Sequence, residues 1–384
     1  MKIGILSPSI YMYQKKYRNR IYAPGKLAVA LADSLVNAGE DVIFFTAQDV
    51  ETLAHVVHID DELLDENLYL DSQQDLPVNA REIVSLYERK KYFELSVTSL
   101  AYEYASQGKV DILHVYNSLG NLAHYFVKRS TVPTVFTIHN PVPAKDTLEH
   151  WRYNKFKDQS FLSISDFQKK AFEKEFPGIH LVKTIYHGVE IEQYTQDVTH
   201  EYYAFIGRAT PEKGLDIAIN ACINTHTQLQ IATWFNDVVK QGQYYREKLL
   251  PNLTASGIGS VGTLDSDSKK IFLSKAKALI LPIQWNEPFG MVMIEAFERG
   301  TPVIAYNRGS VSEIVTSGKT GFIVDPSEQE AGISHAIGQL ERLTDVEYLQ
   351  MRLNCRKEAE IRFNIRMMAQ NHIKVYRNLL EETK

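Results

Sequence analysis

The stretch Leu279-Ile280-Leu281-Pro282-Ile283-Gln284-Trp285-Asn286-Glu287-Pro288-Phe289-Gly290-Met291-Val292-Met293-Ile294-Glu295-Ala296-Phe297-Glu298-Arg299-Gly300 decides the fold. It opens on an unbroken apolar run, Leu279–Pro282, the pattern of a strand buried on both faces of a parallel sheet. Pro288 disfavours helical backbone at Glu287, so Glu287 lies in the loop at the strand's carboxyl end. Gly290 then opens a helix, and Gly300 ends it as a left-handed cap. Strand, loop and helix in that order are half of a βαβ unit. Open sheets of such units bind ligands beyond the carboxyl ends of their strands.

The same alternation extends in both directions. Upstream in the second half, strands are expected at Tyr202–Ile206 and Leu229–Thr233, and downstream at Pro302–Ala305 and Phe322–Val324. Helical spacing marks Leu215–Cys222, Tyr244–Leu250 and Lys269–Lys275. In the first half, strands are expected at Ile3–Leu6, Val42–Thr46, Ile112–Val115 and Val135–His139. A helix over Lys26–Ala38 carries Leu27, Ala30, Leu31 and Leu35 on one face and stops at Gly39. The chain therefore reads as α/β, with two Rossmann-like, doubly wound parallel-sheet domains facing a central cleft. The segment from Tyr186 to about His200 is the linker, which places the domains at 1–195 and 196–362. From about Asp345 the chain reads as helical to its end.

Composition agrees with two globular domains. The 384 residues are 44% hydrophobic and 23% charged, with a formal charge of −5. That excludes disordered, collagen-like and disulfide-scaffold chains. A weakly acidic chain is also a poor candidate for coating nucleic acid. Cys222 and Cys355 sit in no metal-type cluster and read as reduced, buried thiols of a cytoplasmic protein. No leader or membrane-spanning run is visible. Between Lys26 and Arg81 there are twelve acids and no Lys or Arg. Just before it, Lys15, Lys16, Arg18 and Arg20 stand among Tyr11, Tyr13 and Tyr22. Both stretches read as solvated surface; the basic loop, with Arg89-Lys90-Lys91, has as its alternative an anionic acceptor or the inner membrane surface.

Several residues carry chemistry. The free N–H groups of Gly290 and Met291 at a helix N-terminus favour an anion. Glu295, one turn deeper on the same face, can accept two hydrogen bonds from a vicinal diol such as a ribose. Glu287 can do the same for a hexose hydroxyl. In Phe205-Ile206-Gly207-Arg208-Ala209-Thr210-Pro211-Glu212-Lys213-Gly214, Arg208 ends a strand and Thr210 is placed as an N-cap with Pro211 in the first helical position. Lys213 then sits in the first helical turn, the unfavourable end for a cation unless an anion binds there. Arg208 and Lys213 together suit a diphosphate. His139 ends a strand, and Gly25 stands at the start of the first long helix. His114 reads as structural. Ser310–Glu313 and Ser165–Gln168 read as capping boxes. No Walker loop, GxSxG elbow, HExxH or Asp-x-Asp pair occurs.

The run Glu287-Pro288-Phe289-Gly290…Glu295…Gly300-Thr301-Pro302…Gly309-Ser310…Glu313…Gly318…Asp325, with Gly207-Arg208…Glu212-Lys213-Gly214, resembles retaining glycosyltransferase family 4. Pro282–Gly290 is most similar to the avilamycin-pathway subgroup. The resemblance implies a GT-B fold whose C-terminal helix, 363–384, crosses back onto the first domain. It implies metal-independent transfer of a hexose from a nucleotide diphosphate sugar, a UDP-sugar such as UDP-glucose before GDP-mannose, with no cofactor. The acceptor is a glycan, glycolipid or small molecule. Arg208 and Lys213 would neutralise the diphosphate. Glu295 would hold the ribose, Glu287 with the Phe289, Gly290 and Met291 backbone the sugar, His139 the sugar and β-phosphate side. Gly207 and Gly25 would line the donor. This sequence has Pro24-Gly25-Lys26 where the family has paired glycines and an acid, His187-Gly188 for Asn-Gly, and Tyr116 for a histidine. Competing readings are a nucleotide-sugar epimerase and a non-catalytic sugar-binding relative.

Overall fold

The computed structural model describes residues 1–17, 22–59, 64, 78–116, 122–193, 200–235 and 237–382. Arg18, Arg20, most of the acidic stretch Asp60–Asp75 and the linker at 194–199 lie outside the described residues. The described chain forms two compact units: Met1–Ile164 with Gln168–Ile185 and Met368–Lys384, and Tyr186–Met367 with Ser165–Phe167.

The first unit is built on seven parallel strands in the order β3-β2-β1-β4-β5-β6-β7. They are β1 (Lys2–Leu6), β2 (Asp41–Phe45), β3 (His55–Val57), β4 (Ile112–Val115), β5 (Thr134–Thr137), β6 (Ser160–Ser163) and β7 (Leu181–Thr184). Central strands β1, β4 and β5 are buried nearly throughout, which is why their apolar runs carried the sequence signal. Strands β3, β6 and β7 did not stand out, because residues such as Ser160, Ser163, Lys183 and Thr184 break the apolar run. Helix α1 (Ala23–Asn37) buries Leu27, Leu31 and Leu35 on one stripe. It starts three residues earlier than expected, so Gly25 lies inside its first turn. Helices α2 (Val78–Ser106), α3 (Leu148–Lys155) and α4 (Asp166–Glu175) follow it in chain order.

The second unit holds six parallel strands in the order β10-β9-β8-β11-β12-β13. They are β8 (Tyr202–Ile206), β9 (Leu229–Ala232), β10 (Ile258–Gly262), β11 (Ala276–Leu281), β12 (Val303–Tyr306) and β13 (Gly321–Val324). Strand β10, with Gly259 and Ser260, also lacked an apolar run. The main helices are α5 (Leu215–Asn224), α6 (Ser266–Ser274), α7 (Met291–Glu298), α8 (Gln329–Glu341) and α9 (Asp345–Arg362). One core cluster packs Leu215 and Ile219 of α5 with Ile231, Ile280, Ile304 and Ile337. Tyr244–Leu250 was expected as an α-helix, but Tyr245–Leu249 is a single π-turn.

The C-terminal stretch is not one helix. It breaks at Phe363-Asn364, between α9 and α10 (Ile365–Glu382). There Val189 N donates to Phe363 O at 2.8 Å and Ile365 N donates to Val189 O at 2.9 Å. Asn364 Oδ1 accepts from Arg366 N at 2.8 Å, starting the new helix. Cys222 and Cys355 are buried free thiols, and burial pushes the pKa of the Cys222 thiol up to about 12. Among the described residues, no helix is long and apolar enough to cross a membrane.

Two loop joints depend on backbone contact. Gly214, at φ +69°, closes a 3₁₀ turn over Pro211–Lys213 before α5 begins. Lys213 therefore sits in that turn and not in the first turn of the helix, and the Thr210 side chain makes no cap bond. Gly309, at φ +65°, lies where a Cβ would come within 2.2 Å of Glu287 O and 2.5 Å of Glu287 N. A side chain there is strained by the φ alone, at about 1–2 kcal/mol, before the clash is counted. Gly309→Ala is expected to lower the unfolding free energy of the second unit, read from its urea transition, by at least that amount, and so to lower the midpoint. A midpoint equal to the parent's would show that the Glu287 loop yields freely.

Candidate active site

Within the second unit, the chain leaves β8 toward β9 and leaves β11 toward β12, while β8 and β11 lie side by side. That is a topological switch point, where helices diverge and the strands' carboxyl ends open a crevice. The loops after β8 and β11 flank it. Gln284 N donates to Glu212 O at 2.8 Å and ties one loop to the other.

These loops bring together two of the expected site residues. Lys213 Nζ donates to Glu287 Oε2 at 3.1 Å, with the side chains only 18% and 13% exposed. The same ammonium stands 5.0 Å from the centroid of the Trp285 ring. Cation–π attraction and the ion pair thus fix one lysine from two sides. Ser310 braces the loop from behind. Its Oγ donates to Glu287 O at 3.1 Å and to Phe289 O at 2.9 Å, and its N–H to Glu287 O at 2.9 Å.

Ser310–Glu313 is therefore not a capping box. The Ser310 side chain makes no cap bond on the short helix Val311–Ile314. The Glu313 carboxylate instead accepts from Asp166 N at 2.8 Å, Phe167 N at 2.5 Å and Tyr186 OH at 3.0 Å. At the start of α4, Gln168 Oε1 accepts from the N–H of Ile164 at 3.0 Å.

The other expected site residues of this unit have contacts of their own. Gly290, at φ +83°, is the N-cap of α7, so the first N–H groups of α7 point toward the loop that carries Glu287. Phe289 is 2% exposed, with its ring against His187 and Tyr186 at 5.1 and 5.9 Å. Its side chain belongs to the core, which leaves only its backbone for a ligand. Gly207 N donates to Ala232 O at 3.3 Å, continuing the β8–β9 ladder. Arg208 is 68% exposed and its Nη2 lies 3.2 Å from Glu212 Oε1. Glu295, on α7, is met by Lys269 of α6 at 2.5 Å. Arg352 steadies both helices from their carboxyl ends, its Nη2 donating to Arg299 O at 3.1 Å and to Ser274 O at 3.5 Å. A cation at helix C-termini is favoured by the dipole.

Lys269, Trp285 and Ser310 were missed from sequence. Lys269 is 26 residues from Glu295 and in another helix, so no local spacing signals it. Ser310 was hidden by a capping pattern.

The remaining two expected residues lie in the first unit. Gly25 is buried, and a Cβ there would come within 2.3 Å of Met12 Sδ and 2.6 Å of Tyr22 Cδ1, so packing alone calls for glycine. His139 follows β5. Gln168 Nε2 donates to Ile138 O at 3.2 Å and Asn140 O at 2.9 Å, clasping the backbone on both sides of it. The His139 ring meets Tyr116 edge-on at 4.5 Å. Behind it, His114 Nδ1 bonds Tyr376 OH and His114 Nε2 bonds Thr137 Oγ1, both at 2.6 Å. His372 Nδ1 bonds Met368 O at 2.9 Å.

Enclosure, reinforced by His372, pushes His139 down to about 3. His372 falls to about 4 and His114 well below its ordinary value, both chiefly by burial. Burial likewise takes His124 to about 3. All four are neutral in the folded chain at pH 7.

The comparisons with known proteins agree with this architecture. Residues 25–193 match the family model "Glycosyltransferase Family 4", and residues 189–362 match "Glycosyl transferases group 1". The putative glycosyltransferase YtcC of Bacillus subtilis is 25% identical over 351 residues, 81% of this chain and 85% of its own. Sucrose-phosphate synthase from Thermosynechococcus elongatus shares the fold, with a TM-score of 0.74, 17% identity and all of both chains covered. Anabaena Alr3699/HepE, solved with UDP and glucose, gives 0.68 at 16% identity over 98% of this chain and 100% of its own. The avilamycin A glycosyltransferase AviGT4 gives 0.61 at 16% identity over 100% and 98%. It is one of many structural neighbours.

Two Rossmann-like parallel-sheet units with these matches define a GT-B glycosyltransferase. The chain belongs to the group 1/family 4 glycosyltransferases, which its two family matches cover over residues 25–362.

The buried histidines have a consequence for pH. Their folded-state pKa values lie below the unfolded value near 6.5, so only the unfolded chain takes up protons as pH falls from 7 to 5. The stability they contribute is present above pH 6.5 and is lost below it, by up to about 1.4 kcal/mol per pH unit for each histidine. Glu94, pushed up to about 8 by burial, works in the opposite sense as a single group. The melting temperature is expected to fall steadily between pH 7 and pH 5; a flat profile would contradict the enclosed neutral histidines.

Proposed function

We propose that the chain transfers a hexose, with retention of anomeric configuration, from a UDP-sugar such as UDP-glucose to an acceptor hydroxyl, and needs no metal. GDP-mannose is the next donor in line. The observation that carries the reading is Lys213, an ammonium held between Glu287 and Trp285 at the β8–β11 switch point.

A bound diphosphate competes with Glu287 for that ammonium. Once Lys213 turns to the phosphate, the Glu287 carboxylate is free to accept from a sugar hydroxyl. One exchange of partners thus readies both groups, and Arg208 and the α7 N-terminus add positive potential beside the leaving oxygens. In the transfer step the bond from the anomeric carbon to the phosphate oxygen breaks. The acceptor oxygen bonds to that carbon on the same face, and its proton passes to the departing phosphate. Glu295 takes the ribose hydroxyls, and His139, neutral at pH 7, keeps the sugar-side role that the family resemblance gives it. Complexes such as that of Anabaena Alr3699/HepE with UDP and glucose support the choice of a uridine donor.

Lys213→Ala is expected to reduce kcat with UDP-glucose by about two to three orders of magnitude, as loss of one charge-stabilising donor does. Turnover should persist in EDTA, and product NMR should show the donor's anomeric configuration. Parental turnover by Lys213→Ala would overturn the diphosphate clamp.

A further inference from the structure

Lys269 occupies an awkward place for a cation. It stands in the second turn of α6, whose N-terminus is capped by Asp265 accepting from Ser268 N at 2.8 Å. The nearby Asp267 pairs with Lys270. The Lys269 ammonium crosses to α7 and donates to Glu295 Oε1 at 2.5 Å. The two side chains remain 28% and 24% exposed, so the pair is half-enclosed with an open edge.

The hydrogen-bond inventory of that edge is specific. A carboxylate offers about four acceptor sites and an ammonium three donors. Their mutual bond uses one of each. Acceptors on Glu295 and donors on Lys269 are left side by side. Each hydroxyl of a vicinal diol donates one proton and offers lone pairs in return. Glu295 alone answers the protons; only a cation beside it answers the oxygens. Lys269 also offsets the repulsion between that carboxylate and a diphosphate brought into the same site.

We propose that Lys269 is the second half of the ribose subsite and sets the preference for ribonucleotide over deoxyribonucleotide donors. The proposal rests on the reading of Glu295 as the ribose-binding residue. Removing one hydroxyl from the donor leaves polar groups of this pair unanswered, and sites built on such pairing reject the analogue lacking it.

Calorimetric titration of the full chain with UDP and with 2′-deoxy-UDP tests it. The wild-type chain is expected to bind UDP about tenfold or more tightly than 2′-deoxy-UDP, the discrimination of a hydrogen bond to a charged group. Lys269→Met and Lys269→Gln are expected to compress that ratio to within about threefold, chiefly by weakening UDP. Lys269→Arg, which keeps a donor, is expected to retain most of it. An unchanged ratio in variants that melt like the parent would mean that Lys269 merely orients Glu295, and would overturn the proposal. So would a wild-type chain that binds both nucleotides equally. Failure of the wild-type chain to bind either UDP or GDP would overturn the donor reading itself and the proposal with it.

Discussion

The parallel pairing of β8 with β11 is the constraint on which the second unit's site depends. Parallel strands require crossover connections, and here the two crossovers run to opposite sides of the pairing. The loops after the two strands are thereby left facing one another with no helix between them. Residues 74 apart in sequence, Lys213 and Glu287, meet because their strands are neighbours. The same buried pairing fixes the loop bases rigidly, since β11 is buried over nearly its whole length. Precision at the site thus derives from apolar packing beneath it.

Above that base, the site balances its own charge. Arg208 faces Glu212, Lys213 faces Glu287 and Lys269 faces Glu295. Each carboxylate suited to sugar or ribose hydroxyls already has a cation as partner, so none is left as an isolated, half-buried ion. The pairs differ in enclosure. Arg208–Glu212 is largely in water and is worth little on its own. Lys213–Glu287 is mostly enclosed, flanked by an indole and backed by Ser310, so breaking it costs more than breaking the exposed pair. This ordering gives the exposed arginine freedom to move and the enclosed lysine a defined position.

The first unit solves a different problem. It buries three histidines around β4, β5 and the C-terminal helix, with Tyr116 and Tyr376 among them. Hydrogen bonds to Thr137, Tyr376 and the Met368 carbonyl satisfy neutral rings. Burial is the largest cause of their lowered pKa values, and His372 adds to it for His114 and His139. Gln168 then fixes the backbone through which His139 emerges from the strand.

Much of this was legible in the sequence. The central strands showed as apolar runs because parallel strands buried on both faces must be apolar throughout. The Glu287–Glu295 spacing and the Gly207–Gly214 segment were visible because strand end, loop and helix start follow each other locally. Peripheral strands β3, β6, β7 and β10 were not, since short strands with polar residues leave no periodic signal. The break at Phe363-Asn364 left no mark in the residue pattern, because a bridge to Val189 makes it, and only the family resemblance put a helix start at 363. What only the tertiary structure decided was pairing: Lys269 on Glu295, Ser310 behind Glu287, Gln168 around His139, and Glu313 on Asp166 and Phe167. The sequence by itself determined which residue types stand at strand ends and helix starts, because those depend on local backbone geometry. Which side chains meet was set by strand order and helix crossing, because hydrogen bonds and ion pairs act over about 3 Å in space, whatever the separation along the chain.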